Sequence, residues 1–437
     1  MTELKASQYN LSFNYEDKII AYNSMSDQFL VLDPLLHDLF MAAIHEEDLP
    51  ALKDIHEDLF LLLQKKGFII PDTKNEYEEI KKISFNHDFN DENYELIINP
   101  TMNCNFKCWY CYETHIKDSR INDETKNKIT KHIEQTIIRK QGVIKNFSLN
   151  WFGGEPLLYF NPIIKDILES IYPLMVSNNI NFHSSFTTNG LLISQELLDV
   201  GKKYGIKQFQ ITLDGHRERH NKVRYISIQK GSYDKILENI KLCLKNSFVV
   251  TVRINISEET ISDLVKIIDD FKDINNFEKQ YLNFSFHEVW QEEKELTADI
   301  SNIVDQFRAH GLVCAYKGEH IATITNSCYA DKFNHATINY NGDVFKCTAR
   351  DFKTSSKEGY LADTGEIIWN ETFQKRVFDS RFSNPPCFSC KILPLCNGGC
   401  SQHRLENFGK DYCIHNYDEN RKLEIIKQKF YTRLIHT

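Results

Sequence analysis

At 437 residues the chain is too long for one ordinary core, and two or three domains are expected. Its 41% hydrophobic and 26% charged residues are the proportions of a soluble globular protein, no apolar run approaches the roughly 18 residues of a membrane span, and MTELKASQYN lacks the apolar region of a secretory signal. A cytoplasmic protein without a membrane partner is expected, and a net charge of −9 argues against a broad nucleic-acid footprint, so no nucleic-acid partner is expected either.

Residues 1–90 open with NLSFNYEDKIIAYNSMSDQFLVLD, which alternates and turns as a β-hairpin or small meander. Helical spacing follows in PLLHDLFMAA and in ALKDIHEDLFLLLQKKGFII. This order resembles the small winged-helix recognition element of many peptide-modifying enzymes; the alternative is an N-terminal cap with no ligand of its own. NEYEEIKK, and later QEEKE, read most simply as solvated charge and linker.

From about residue 94, β-rich runs alternate with helical stretches. The strand candidates are YELIIN, FSLNWF, FHSSFTT, QFQITL, VVTVRINI and LNFSFHEV. Between them lie segments such as NDETKNKITKHIEQTIIRK, with Asn and Asp at the cap and Glu in the first turn. Consecutive βα units predict an α/β fold whose parallel sheet, joined by right-handed crossovers, closes as a barrel or partial barrel across residues 91–310.

The unusual residues follow the strand ends: Cys104, Cys108 and Cys111 after the first, GGEP at 153–156 after the second, TNG at 188–190 after the third, DG at 214–215 after the fourth. The C-terminal ends of parallel strands meet on one face, where such folds do their chemistry.

Twelve cysteines in a cytoplasmic chain call for a role other than disulfides. Three lie at 104–111 and seven between Cys328 and Cys413, which leaves Cys243 and Cys314 apart. Cys243 occupies an apolar position in YDKILENIKLCLKN, where a free thiol behaves as a small hydrophobe. Four thiolates close a zinc site or hold all four irons of a cubane, whereas three leave one iron free for another ligand.

Cys104-x3-Cys108-x2-Cys111, with Tyr110 before the last Cys, resembles the signature of radical S-adenosylmethionine (SAM) enzymes. A zinc knuckle with His115 as fourth ligand is the plainer alternative. The resemblance implies that the three cysteines hold a 4Fe-4S cluster whose open iron is chelated by SAM. An electron from the cluster then yields a 5′-deoxyadenosyl radical that abstracts hydrogen from an unactivated C–H bond. It assigns Gly153, Gly154 and Glu155 to the amino group of SAM, and places Thr188, Asn189 and Asp214 near cofactor or substrate, with His220 and Arg224 of DGHRERHNKVR as lesser candidates. Read alone, GGEP is a tight turn with a Pro starting a helix, and DGHRERHNKVR is a surface loop. Arg253, in the fifth strand, is a candidate for the SAM carboxylate or for a core salt bridge.

In residues 311–437, Cys328 is followed by ATINYNGDVFKC, a hairpin turning at Asn341-Gly342 and presenting Cys347. Cys387-x2-Cys390-x5-Cys396-x3-Cys400 and Cys413 complete the set. This order resembles the SPASM domain, which binds auxiliary 4Fe-4S clusters; one or two zinc ribbons are the alternative. The resemblance gives Cys387, Cys390, Cys396 and Cys413 to an outer cluster and Cys328, Cys347 and Cys400 to an inner one, whose fourth position is open or taken by a group such as Cys314.

The family resemblance thus implies three 4Fe-4S clusters, one SAM-binding and two auxiliary, in a maturase acting on a ribosomally made precursor peptide with a leader. It also implies a reductant such as flavodoxin or ferredoxin. A sulfatase-maturing enzyme that makes formylglycine is the second reading, against which stands Thr348 where that subgroup carries Asp. A non-catalytic iron–sulfur or zinc protein is the third, and it leaves the open triad and GGEP without a task.

Overall fold

The computed structural model describes residues 3–227, 230–289, 296–316, 323–325 and 327–435; QEEKE, at 291–295, lies outside them. The chain divides into two compact units, one of residues 91–317 and 334–373, the other of 1–90, 318–333 and 374–437.

The first unit is built on one sheet of eleven strands. All six strand candidates are present as β1 (Asn93–Ile98), β2 (Asn146–Trp151), β3 (Asn181–Thr188), β4 (Ile206–Leu213), β5 (Val249–Ile256) and β6 (Leu282–Glu288). They lie side by side in chain order and run parallel. The sheet extends beyond them on both flanks. A short β7 (Val313–Ala315) pairs in parallel with β6, and β8 (His335–Ile338) pairs in parallel with β1. β9 (Asp343–Phe345), β10 (Gly359–Leu361) and β11 (Ile367–Trp369) continue past β8 as an antiparallel meander. The ATINYNGDVFKC hairpin is the β8–β9 pair, with Gly342 at φ +83° in its turn, where a side chain would be strained.

The two faces of β1–β6 differ in chemistry. On one, Leu149, Trp151, Phe186, Phe209, Ile211, Val252, Ile254 and Phe284 are buried in a continuous apolar core. Helix Asp123–Arg139 supplies Ile129, Ile133 and Ile137 to that core and is capped by Asn122, whose side chain accepts from Thr125 N at 2.7 Å. Helix Tyr233–Lys245 buries Cys243 in it. On the other face Asn150, His183, Ser185, Gln208, Gln210, Arg253, Asn283, Ser285 and His287 stay partly accessible. Cross-strand bonds knit this polar surface: Asn150 Nδ2 donates to Glu95 Oε1 at 3.0 Å and Ser185 Oγ to Asn150 Oδ1 at 2.6 Å. Fully covered parallel sheets are apolar on both faces, so strict alternation here marks a face built to meet something polar.

The second unit contains the antiparallel meander Asn10–Tyr15, Lys18–Asn23 and Gln28–Leu32, followed by helices Pro34–His45, Leu49–Ile55 and Glu57–Lys65. The second helical run therefore breaks at His56, whose side chain caps the last helix by accepting from Leu59 N. FII becomes the start of a short strand, Ile69–Pro71, paired with Leu4–Ala6. NEYEEIKK is not a linker: it opens helix Glu76–Asp88, capped by Asn75. Its charges hide the spacing of Tyr77, Ile80 and Ser84, of which Ile80 and Ser84 are buried. At the other end of the chain, helix Glu419–Ile435 sets Phe430 against Phe13, Tyr15 and Phe29. No helix among the described residues is long and apolar enough to cross a membrane.

Candidate active site

The loop after β1 carries the triad. All three thiols are free; Cys104 and Cys108 are half-buried and Cys111 is exposed. The loop is tied down around them. Thr101 Oγ1 donates to Ser119 O at 2.5 Å, Met102 N donates to Ser119 Oγ at 2.9 Å, and Phe106 is buried beneath. Burial pushes the Cys104 thiol up to about 12, with the Glu155 carboxylate adding to it, and pushes Cys111 up to about 11. His115 Nε2 lies 3.6 Å from Cys111 Sγ. Among the described residues no three His, Cys, Asp or Glu side chains close on one point as a single metal ion requires.

The GGEP turn after β2 is locked to this loop. Glu155 N donates to Asn103 O at 2.9 Å and Gly154 N to Glu113 Oε2 at 2.7 Å. A Cβ on Gly154 would stand 2.2 Å from Asn103 O, at a φ of +51°. The glycine is thus required by the cysteine loop's own backbone. Glu155 is wholly buried, and its carboxylate accepts from Leu157 N, Thr188 Oγ1 and Asn189 N at 3.0, 2.7 and 2.8 Å. Asn189 in turn donates from Nδ2 to Asn105 Oδ1 at 2.7 Å, returning to the loop between Cys104 and Cys108.

A second network joins the later strand ends. The Tyr110 hydroxyl donates to the Asp214 carboxylate, 2.7 Å from each oxygen, and accepts from Arg224 Nη2 at 2.6 Å and Asn255 Nδ2 at 3.0 Å. Arg224 Nε donates to Asp214 Oδ2 at 2.6 Å. His220 is buried beside it, accepting on Nδ1 from Asp214 N, with Nε2 3.0 Å from Ser232 Oγ. DGHRERHNKVR is therefore no surface loop: His220 and Arg224 anchor the strand end. Arg253 Nε donates to Asn255 Oδ1 at 3.0 Å, and no carboxylate among the described residues pairs with its guanidinium. Burial lowers its pKa, which leaves a half-buried charge on the polar face.

The structure thus brings together Cys104, Cys108, Tyr110, Cys111, Gly153, Gly154, Glu155, Thr188, Asn189, Asp214, His220, Arg224 and Arg253. Sequence reasoning missed Asn255, although Arg253 and Asn255 share a strand face by alternation. It also missed Asn105 and Glu113, whose only signal is their place in the loop. Burial pushes the Glu113 carboxyl up to about 7. Two further ties reach the segment after Cys347: Tyr112 OH donates to Thr348 O at 2.8 Å, and Thr114 N and Oγ1 donate to the Asp351 carboxylate at 2.9 and 2.6 Å. Cys314 lies in β7 at the far edge of the sheet, its Sγ 3.5 Å from Leu312 O.

In the second unit Cys387, Cys390, Cys396 and Cys413 line one small cavity of about 30 Å³, partly open to solvent, with Ile392, Leu393, Tyr412 and Lys422 among its walls. Asn384 Nδ2 donates to Cys387 Sγ at 3.2 Å. Cys328 and Cys400 belong to this unit, and Cys347 to the sheet unit.

Residues 98–271 match the family described as "Radical SAM superfamily". The cysteine-type anaerobic sulfatase-maturating enzyme of Clostridium novyi (strain NT) is 24% identical over 342 residues, 72% of this chain and 89% of that protein. The radical SAM cyclopropyl synthase TigE of Paramaledivibacter caminithermalis is 22% identical over 407 residues, 85% of this chain and 82% of that protein. The crystal structure of Streptococcus suis SuiB bound to precursor peptide SuiA matches with a TM-score of 0.52 at 17% identity, covering 91% of this chain and 95% of that one, a likeness of fold.

Proposed function

From the match of residues 98–271 to the radical SAM superfamily, we infer that the chain is a maturase that uses a SAM-derived radical to remove hydrogen from a precursor peptide and so installs a cross-link or another modification. The observation that carries this reading is the triad loop. Three free thiols within eight residues, one short of the four that a closed zinc site takes, stand on the loop after a parallel strand beside a polar, accessible sheet face. That donor set fits a cubane with one iron left to a cofactor, and fits zinc poorly. When bound, the cluster and SAM supply the radical chemistry; the protein orients and shields it.

Cys104, Cys108 and Cys111 are assigned to the cluster. Tyr110, Gly153, Gly154, Thr188, Asn189 and Asp214 shape the SAM site, and the guanidinium of Arg253 is offered to the SAM carboxylate. Glu155 acts through the turn: with three protein donors on its carboxylate, it fixes Thr188 and Asn189. Cys387, Cys390, Cys396 and Cys413 hold an auxiliary cluster, for which their shared cavity is the support. Cys328 and Cys400 of the same unit are proposed for a second. A small electron-transfer protein such as flavodoxin or ferredoxin serves as reductant.

A peptide substrate is supported by the relatives, since SuiB is bound to precursor peptide SuiA and the name of the sulfatase-maturating enzyme gives a protein as what it acts on. We assign the leader to residues 1–90 as a winged-helix-like recognition element. An open groove of about 560 Å³ there is lined by Gln28, Lys65, Lys66, Ile69, Ile70 and Lys74, three of them cationic. Sulfatase maturation is the second reading, favoured by the 24% identity over 89% of that relative. Against it, Thr348 follows Cys347, and the Asp351 carboxylate is already taken by Thr114.

Anaerobic reconstitution with iron and sulfide tests the reading. A brown protein that releases 5′-deoxyadenosine from SAM and reductant is expected, and the Cys104, Cys108, Cys111 triple alanine variant should release none. A colourless zinc protein would overturn it. Assay on a sulfatase peptide, read for formylglycine by mass, separates the two substrate readings.

A further inference from the structure

Lys422 sits in the first turn of helix Glu419–Ile435, which starts where Asp418 Oδ1 accepts from Asn420 N and Arg421 N. The amino-terminal end of a helix is electropositive, so a cation in its first turn is opposed by the helix itself. The residue's surroundings add to the cost. Its side chain is only 10% exposed, while Glu419, whose Oε1 it meets at 2.6 Å, is 77% exposed. A Lys–Glu pair one turn apart on a helix needs no burial, because both ends are solvated at the surface and the pair contributes little.

The buried side of Lys422 explains its position. It lines the cavity into which Cys387, Cys390, Cys396 and Cys413 open, a wall otherwise built largely from Ile392, Leu393, Ile414 and two tyrosines. Beside these largely apolar walls, partly open to solvent, one fixed positive charge acts more strongly than in bulk water on whatever negative charge the four thiolates gather.

We propose that the Lys422 ammonium is the counter-charge of the auxiliary cluster held by Cys387, Cys390, Cys396 and Cys413, and that it raises that cluster's reduction potential. The inference rests on the auxiliary-cluster assignment above. Each electron taken up adds negative charge to a thiolate-ligated cluster, so a nearby cation stabilises the reduced form more than the oxidised one. Net charge and solvent exposure around the sulfurs are among the determinants of such potentials. Lys422 is a tuning residue and touches no substrate.

The test uses the full chain, reconstituted in the Cys104, Cys108, Cys111 triple alanine background so that the triad contributes no signal. EPR-monitored redox titration compares the parent with Lys422→Met, which keeps the aliphatic stem, and Lys422→Arg, which keeps the charge. The Met variant should hold parental iron with its midpoint moved to lower potential, and the Arg variant should stay near the parent. Glu419→Gln gives the opposite sign: freed of its carboxylate, the ammonium should move the midpoint upward, and this arm stands even if the Met variant loads poorly. Unmoved midpoints in loaded Met and Gln variants would overturn the role of Lys422. Failure of the underlying assignment shows differently, as unchanged iron when Cys387 and Cys390 are both replaced by Ala.

Discussion

Arg224 donates from Nε to Asp214 Oδ2 at 2.6 Å, and the two side chains are 10% and 2% exposed. This buried ion pair joins the end of β4 to the close of helix Arg217–Val223, and through Tyr110 it reaches the loop that carries the triad. Breaking such a pair from one side is costly, because the remaining charge is left buried.

Arg224→Met should therefore destabilise the protein by about 3–5 kcal/mol. Pairing it with Asp214→Asn should recover part of that loss, since residues in one network are not additive. Tyr110→Phe removes one donor and leaves Arg224 and Asn255 short of an acceptor, at about 1–3 kcal/mol. Denaturant unfolding of the single variants and the double variant checks the order; a double-variant loss equal to the sum of the Arg224→Met and Asp214→Asn losses would refute the coupling.

Two glycines with positive φ should respond differently to alanine. At Gly142, φ +76° with nothing within 4 Å of a new Cβ, the cost is the backbone term alone, about 1–2 kcal/mol. At Gly154 the Cβ collides with Asn103 O and the turn must part from the cysteine loop. Gly154→Ala should lose triad iron in reconstitution, while Gly142→Ala should keep it.

Stability should decline in acid below the ordinary His range. Burial holds His220 down to about 3 against its usual 6.5, and His132 to about 4. Between those values the unfolded chain binds protons that the folded one refuses, so this stability is full above 6.5 and falls as pH drops toward 3, at up to about 1.4 kcal/mol per unit for each histidine. His220→Gln should make the slope of unfolding free energy against pH shallower in that window; an unchanged slope would place the acid sensitivity elsewhere.

Deleting residues 1–90 should cost more than leader binding. Phe13, Ile20 and Tyr22 share one core with Ile392, Leu395, Ile426 and Phe430, so the deletion bares the apolar face beside Cys390 and Cys396. The truncated chain should lose auxiliary iron and solubility, seen by iron analysis and gel filtration. Lys65→Glu with Lys66→Glu is the cleaner probe: peptide affinity should weaken with iron content unchanged.

Replacing Cys387 and Cys390 by Ala should remove about a third of the iron expected for three cubanes while SAM cleavage continues. Product should fall sharply if the auxiliary cluster accepts an electron from the substrate. Thermal melting run in parallel separates this from unfolding, because metal binding in small cysteine-rich modules also stabilises the fold.

The sequence by itself determined what is local and periodic. The alternation of YELIIN through LNFSFHEV is a one-dimensional property, and it was enough to place six parallel strands in order and the cysteine loop, GGEP and DG at their ends. Asn122 announced its helix because a cap and an apolar row at i, i+4 and i+8 lie within one segment. Only the tertiary structure decided which partners those residues meet. β7 and β11 are three residues each, too short to carry a period, and they became strands because neighbouring edges offered hydrogen bonds. Helix Glu76–Asp88 hid behind its charges until packing selected Ile80 and Ser84. Glu155 became a clamp on Thr188 and Asn189, and Asn255 a ligand of Tyr110. Lys422 became the cation of a cysteine-lined cavity. Each of these contacts joins residues distant in sequence, and they form only once burial has removed water as the competing partner.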